Sequence, residues 1–188
     1  MSLDGALLAN VLRRLGRMLL RLPRGAGAVL ALAWIVVLYT LSEMDGPDVG
    51  DASDWHSFVH NLAHAPAFGL LAFWSLIALP RQVDAMGRHL WPELTRLRCL
   101  GVVAFVVLYG FADEFHQSLV PGRSPSLFDV LSDGVGACCV VWVAKGVGQG
   151  LGRGLGRRFV IGLAACAAAA GLSTLWAAAY QDGPWFGC

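Results

Sequence analysis

The chain has 188 residues, of which 56% are hydrophobic and 14% charged, against about 25% charged in an ordinary soluble domain. That composition excludes disorder and argues strongly against a soluble globular fold. The net charge of +1 says little by itself, and the placement of the charges says more.

In chain order, residues 7–22 (LLANVLRRLGRMLLRL) carry leucines and arginines at helical spacing. They predict a basic amphipathic helix lying on a membrane surface, within a cytoplasmic segment 1–25. Crossing the hydrocarbon takes about 20 mostly apolar residues. Five segments meet that requirement: 26–41 with its flanks, 58–79, 99–119, 127–147 and 159–180. The first is expected to be retained rather than cleaved as a signal peptide, because no small-residue cleavage site follows it. The glycine-rich stretch 146–156 (GVGQGLGRGLG) reads as a flexible basic linker. A nucleotide-binding reading fails for want of a preceding strand. The fold class expected is therefore all-α: a polytopic membrane bundle of five transmembrane helices over 26–180, with an N-terminal amphipathic helix and an external tail 181–188.

The positive-inside rule orients this bundle. Arg13, Arg14, Arg17, Arg21 and Arg24 precede the first span. Arg81, Arg88, Arg96 and Arg98 lie between the second and third, and Lys145, Arg153, Arg157 and Arg158 lie around the fourth-to-fifth connection. Only Arg123 falls on the other side, with Glu43, Asp45, Asp48, Asp51 and Asp54. The N-terminus is expected in the cytoplasm and the C-terminus outside. Basic residues divided among short loops leave no nucleic-acid surface. Thirteen arginines to one lysine, with abundant alanine and glycine, fit a GC-rich bacterial genome and hence the inner membrane. The five cysteines form no CxxC, and four lie in or beside apolar runs, so a zinc thiolate site is not expected.

Only the middle three spans carry polar groups. His60 and His64 stand four residues apart in the second span, as do Tyr109, Asp113 and Gln117 in the third, with Glu114 and His116 adjacent. Asp129 and Asp133 repeat the interval in the fourth. Residues four apart share a helix face. At a rise of about 1.5 Å per residue, His64, Asp113 and Asp133 should lie roughly 9 Å below the outer boundary. His60, Gln117 and Asp129 should form a second tier one turn higher. Ionisable groups at such depth should face one another or a water-filled cavity. Pro121-Gly122 signals a turn, and Ser126-x-x-Asp129 matches a capping box opening the fourth helix.

At these residues the chain resembles the VanZ-like family of small bacterial membrane proteins. The matching run is Tyr109-Gly110, Asp113-Glu114, Gln117, Val120-Pro121-Gly122-Arg123, Asp129, Asp133 and Gly136, supported by His64-Ala-Pro-Ala-Phe68-Gly-Leu-Leu. It covers about residues 58–145. Three positions depart from the family's pattern: His60-Asn61 stands where Asp-Lys is common, and Asp133 where asparagine is common. The family takes its name from a protein linked to low-level teicoplanin resistance, so the resemblance implies a role at the cell envelope.

Several readings stay open. His64, Asp113 and Glu114 are the candidate proton-transfer groups, and Tyr109, Gln117, Arg123, Asp129 and Asp133 the candidate ligand-binding groups. Arg123, the sole external cation, suits an anionic group. The partners expected are the bilayer and a lipid-linked or peptidoglycan-related molecule. No cofactor and no metal are expected, the histidines His60 and His64 being weak candidates for ligation. His116 reads as a solvated residue and Tyr109 as a buried hydrogen-bond partner of an acid. The bland alternative is a scaffold whose ion pairs only fix helix packing. A small proton-coupled transporter is the less favoured third reading, because almost no polar groups reach the inner half.

Overall fold

The computed structural model describes residues 7, 10–11, 14–16, 18, 22–43, 54–86, 89–121, 125–148 and 154–179. Five helices follow one another: α1 (Arg24–Ser42), α2 (Asp54–Ala78), α3 (Arg96–Gln117), α4 (Leu127–Gly148) and α5 (Gly154–Ala179). All five are long and apolar enough to cross a membrane. Each expected span is found, with ends moved by no more than a few residues. The protein is thus the all-α, five-span membrane bundle its hydropathy calls for.

One addition interrupts the helical pattern. Between α2 and α3, β1 (Arg81–Val83) pairs antiparallel with β2 (His89–Pro92), Arg81 opposite Pro92 and Val83 opposite His89. Arg81 anchors this hairpin by donating to the carbonyls of Leu22 and Ile77. Burial, then the neighbouring Arg24, lowers its pKa from the usual value. Of the expected N-terminal amphipathic helix, Leu7, Asn10, Val11, Arg14, Leu15, Gly16 and Met18 are described and helical. The rest lies outside the described residues, as do Arg123 and the tail 181–188.

α2 and α4 are the central pair. α2 packs against α1, α3, α4 and α5, and α4 against α2, α3 and α5. The two meet most closely at Gly136, where a Cβ would overlap the carbonyl oxygen of Ala65. Glycine is required there by that approach and not by any special dihedral. Phe68, Leu71, Ala72, Val106, Ala137 and Val141 fill the core around this crossing. Pro66 sits inside α2, which membrane helices tolerate when neighbours satisfy the freed backbone groups.

The outward faces are apolar. Leu97, Leu100, Leu108 and Phe115 on α3, Val29 and Leu32 on α1, and Leu172 and Leu175 on α5 are all exposed. In water such a surface would aggregate; against lipid it is the expected exterior. Trp34 shows how polar atoms are handled here: its indole donates to the carbonyl of Ala67 at 2.8 Å, tying α1 to α2.

Candidate functional site

The polar residues converge at the end of the bundle where α1 joins α2 and α3 joins α4. The face of α3 turned inward carries Val102, Val106, Gly110, Asp113, Glu114 and Gln117. α4 turns Asp129, Val130, Ser132 and Asp133 inward at the same level. α2 contributes His64 from the opposite side.

His64 is the centre. Its Nδ1 lies 3.1 Å from Asp133 Oδ1, and its Nε2 faces Asp129 Oδ2 at 3.9 Å. The ring stacks on Phe68 with centroids 5.9 Å apart and planes 8° from parallel. Phe68 in turn packs against Tyr109. The imidazole is thereby fixed in plane and in azimuth, with one nitrogen on each of two carboxylates from one helix. The i, i+4 spacing of Asp129 and Asp133 makes that bracket possible, because it stacks them one turn apart on a single face.

Glu114 is fully buried, and so is Asp133. Glu114 Oε2 accepts from the backbone amide of Ser126 at 2.6 Å, and Oε1 lies 3.5 Å from Gln117 Nε2. Gln117 also donates to Asp113 Oδ2 at 2.9 Å. Asp129 Oδ1 accepts from Ser173 on α5 at 3.4 Å. One turn away, Asn61 donates to Thr174 at 3.3 Å. Donor atoms of His64, Glu114 and Asp129 lie within 4.8 Å of one another. Asp133 Oδ2 and Ser132 Oγ are buried with no hydrogen-bond partner among the described residues. Gly110 makes room for Asp133: a Cβ there would stand 2.6 Å from Oδ2.

Four expectations change in detail. The capping box is only half formed. Ser126 Oγ does accept from the Asp129 amide at 3.4 Å, but the Ser126 amide is taken by Glu114 from another helix. Asp129 is therefore turned to His64 and Ser173 instead of capping its own helix. Tyr109 donates to the backbone carbonyl of Ile35 at 3.1 Å, not to an acid. Gln117, expected in one tier with Asp129, bonds to the two acids of its own helix. His116 is tied to α1, with Nε2 2.9 Å from Glu43 Oε1 and its ring against Tyr39. The side chain of His60 and all of Arg123 lie outside the described residues.

Ser173, Thr174 and Ser132 were not singled out from the sequence, and Asn61 only as a departure from the family's pattern. Ser173 and Thr174 carried a usable signal, being the only hydroxyl residues of α5. On the α5 side of the α2–α4 crossing lies an apolar cavity of about 600 Å³. It is lined by Leu62, Ala65, Phe73, Val140, Phe159 and Cys166 among others, with Trp91 of β2 also in the lining.

Chemically, a histidine gripped by one carboxylate and facing two more can hold a proton or a cation, or orient a hydroxyl. A comparison with family models finds a match to one described as VanZ/LLP1 over residues 18–148, which takes in α1 as well as the motif-bearing helices and stops before α5. Comparisons with curated proteins and with solved structures find no match.

Proposed function

The chain belongs to the VanZ/LLP1 family, and from that premise we propose that it acts at the outer face of the bacterial inner membrane on a lipid-linked or peptidoglycan-related envelope molecule. In this reading the N-terminus is cytoplasmic, so the His64 cluster opens toward the outer surface. The observation that carries it is the burial of His64 between Asp133 and Asp129 in a membrane bundle. Intramembrane ionisable groups are costly and mark binding sites, ion pathways and proton relays.

The roles follow from position. His64, Asp113 and Glu114 bind the polar part of the molecule or pass protons to it. Gln117, Asp129 and Asp133 hold those groups in place, Tyr109 backs the Phe68 ring on which His64 stacks, and Arg123, between α3 and α4 in the chain, takes an anionic group. The apolar cavity beside Ala65 suits the hydrocarbon part of an amphiphile. Resistance to a teicoplanin-type glycopeptide is the phenotype this predicts, since such drugs act on envelope precursors outside the membrane.

The test replaces Asp113, Glu114 and Arg123 singly, with membrane insertion confirmed, and scores glycopeptide susceptibility and envelope integrity. Loss of the phenotype in each correctly inserted variant supports the reading. Full retention in all three sinks it in favour of a scaffold whose ion pairs serve assembly alone.

A further inference from the structure

The described residues gather three carboxylates, Glu114, Asp129 and Asp133, around one imidazole, with Asp113 next to Glu114 on the inward face of α3. Their ion pairs among the described residues run only to His64. Concentrating that much negative charge inside a bilayer is strongly unfavourable without a cation. Two more polar atoms of the same α4 turn, Ser132 Oγ and Asp133 Oδ2, are buried and lack a partner among the described residues. Among the described residues, this part of the bundle is short of positive charge and of donors.

The geometry also has the pattern of a metal shell. His64 gives Nδ1 to Asp133 and presents Nε2. A histidine ligand commonly makes this second contact to a carboxylate, which fixes its tautomer and orientation. Asp129 gives Oδ1 to the Ser173 hydroxyl and turns Oδ2 toward His64 Nε2. Glu114 gives Oε2 to the Ser126 amide, and Oε1 has only a long contact with Gln117. Each of the three residues thus has one atom anchored and one directed elsewhere.

We propose that His64, Glu114 and Asp129 bind one divalent transition-metal ion of zinc or manganese type. One nitrogen with two carboxylate oxygens is a donor set for such ions and leaves open positions for water or a ligand. Metal–ligand bonds of about 2.1 Å hold tetrahedral donors about 3.4 Å apart. The three donor atoms, now within 4.8 Å of one another, draw inward on binding. Ion binding stands apart from the envelope reading, although a cation would let this acidic site accept an anionic head group.

The full chain, purified in detergent, is stripped with a chelator and titrated with zinc or manganese chloride by calorimetry. Retained metal is measured after desalting, and cobalt substitution gives an absorption signature. One ion per chain is expected, with His64→Ala and Asp129→Asn each lowering affinity more than tenfold while the helical signal and monodispersity are kept. Asp133→Asn, a positioning change, should weaken binding about 10–100-fold and shift the cobalt spectrum. Magnesium and calcium, which prefer all-oxygen shells, should not compete. No saturable binding in the unaltered chain overturns the proposal, as it would if Arg123 were the counter-charge. Binding unchanged in His64→Ala and Asp129→Asn, or equal competition by magnesium, overturns it as well. Metal content and drug susceptibility are separate readouts, so failure of one is distinguishable from failure of the other.

Discussion

Glu114 on α3 accepts a hydrogen bond from the backbone amide of Ser126 at 2.6 Å, so a fully buried carboxylate of one helix closes the first turn of the next. The contact joins the two halves of the α3–α4 hairpin across the connection that carries Arg123.

Removing that carboxylate strands a buried amide. Glu114→Ala should cost about 1–3 kcal/mol, read as a lower melting temperature in detergent. Glu114→Gln keeps an acceptor and should recover most of the loss. Equal stability of the alanine variant and the unaltered chain would show that Ser126 is satisfied some other way.

Gly136→Ala forces a methyl onto the Ala65 carbonyl at the α2–α4 crossing. Overpacking of this kind costs about 1–3 kcal/mol, and the rigid backbone on both sides puts this case at the upper end. Gly101→Ala, with nothing near its Cβ, is the control and should be neutral or slightly stabilising. A melting curve for each decides the matter; no difference between them would remove the close crossing from the account.

Gly110→Ala tests the site more gently. Its methyl meets the Asp133 side chain most closely at Oδ2, the end of a group able to rotate. The variant should fold, yet shift Asp133 off His64. Metal affinity should then fall about tenfold, the lower end expected for loss of an outer partner. Unaltered affinity in a folded variant would mean that the Asp133 position does not matter to His64.

His116→Ala removes a pair with Glu43, whose side chain is half exposed. Exposed pairs contribute about 0–1 kcal/mol, so the melting temperature should fall only slightly. Metal binding and the susceptibility phenotype should be untouched. A loss of metal in this variant would extend the site toward α1.

The proposed orientation has its own check. Alkaline phosphatase joined after the C-terminus should be active, because that end is expected outside, whereas a fusion in the 149–153 connection should be inactive. The reverse pattern would place the His64 cluster at the cytoplasmic face.

Much of this was legible because hydropathy has a long correlation length. A span of about 20 apolar residues is hard to mistake, and all five were found. His64 with Asp133 was legible too, since chain direction and rise per residue put them at one depth. What was not read from the sequence was which of two adjacent inward-facing acids is the more deeply buried. The step of four from Val102 through Val106 and Gly110 leads to Glu114, so Glu114 takes the fully buried place and Asp113 sits beside it. The Ile35 carbonyl that holds Tyr109 could not be foreseen, because a backbone acceptor carries no residue signature. The β1–β2 hairpin is too short to show a period of two, and Ser173 reaches Asp129 only through the return of a helix 44 residues along the chain.

That last contact gives α5 a task its plain sequence does not suggest. The family match ends at residue 148, before the helix that supplies Ser173 and Thr174 to Asp129 and Asn61. α5 therefore works as insulation, keeping lipid tails from the flank of the acidic cluster. A chain cut after Gly148 would retain every motif residue and still leave Asp129 facing hydrocarbon, where local water defects would have to stand in for the missing helix.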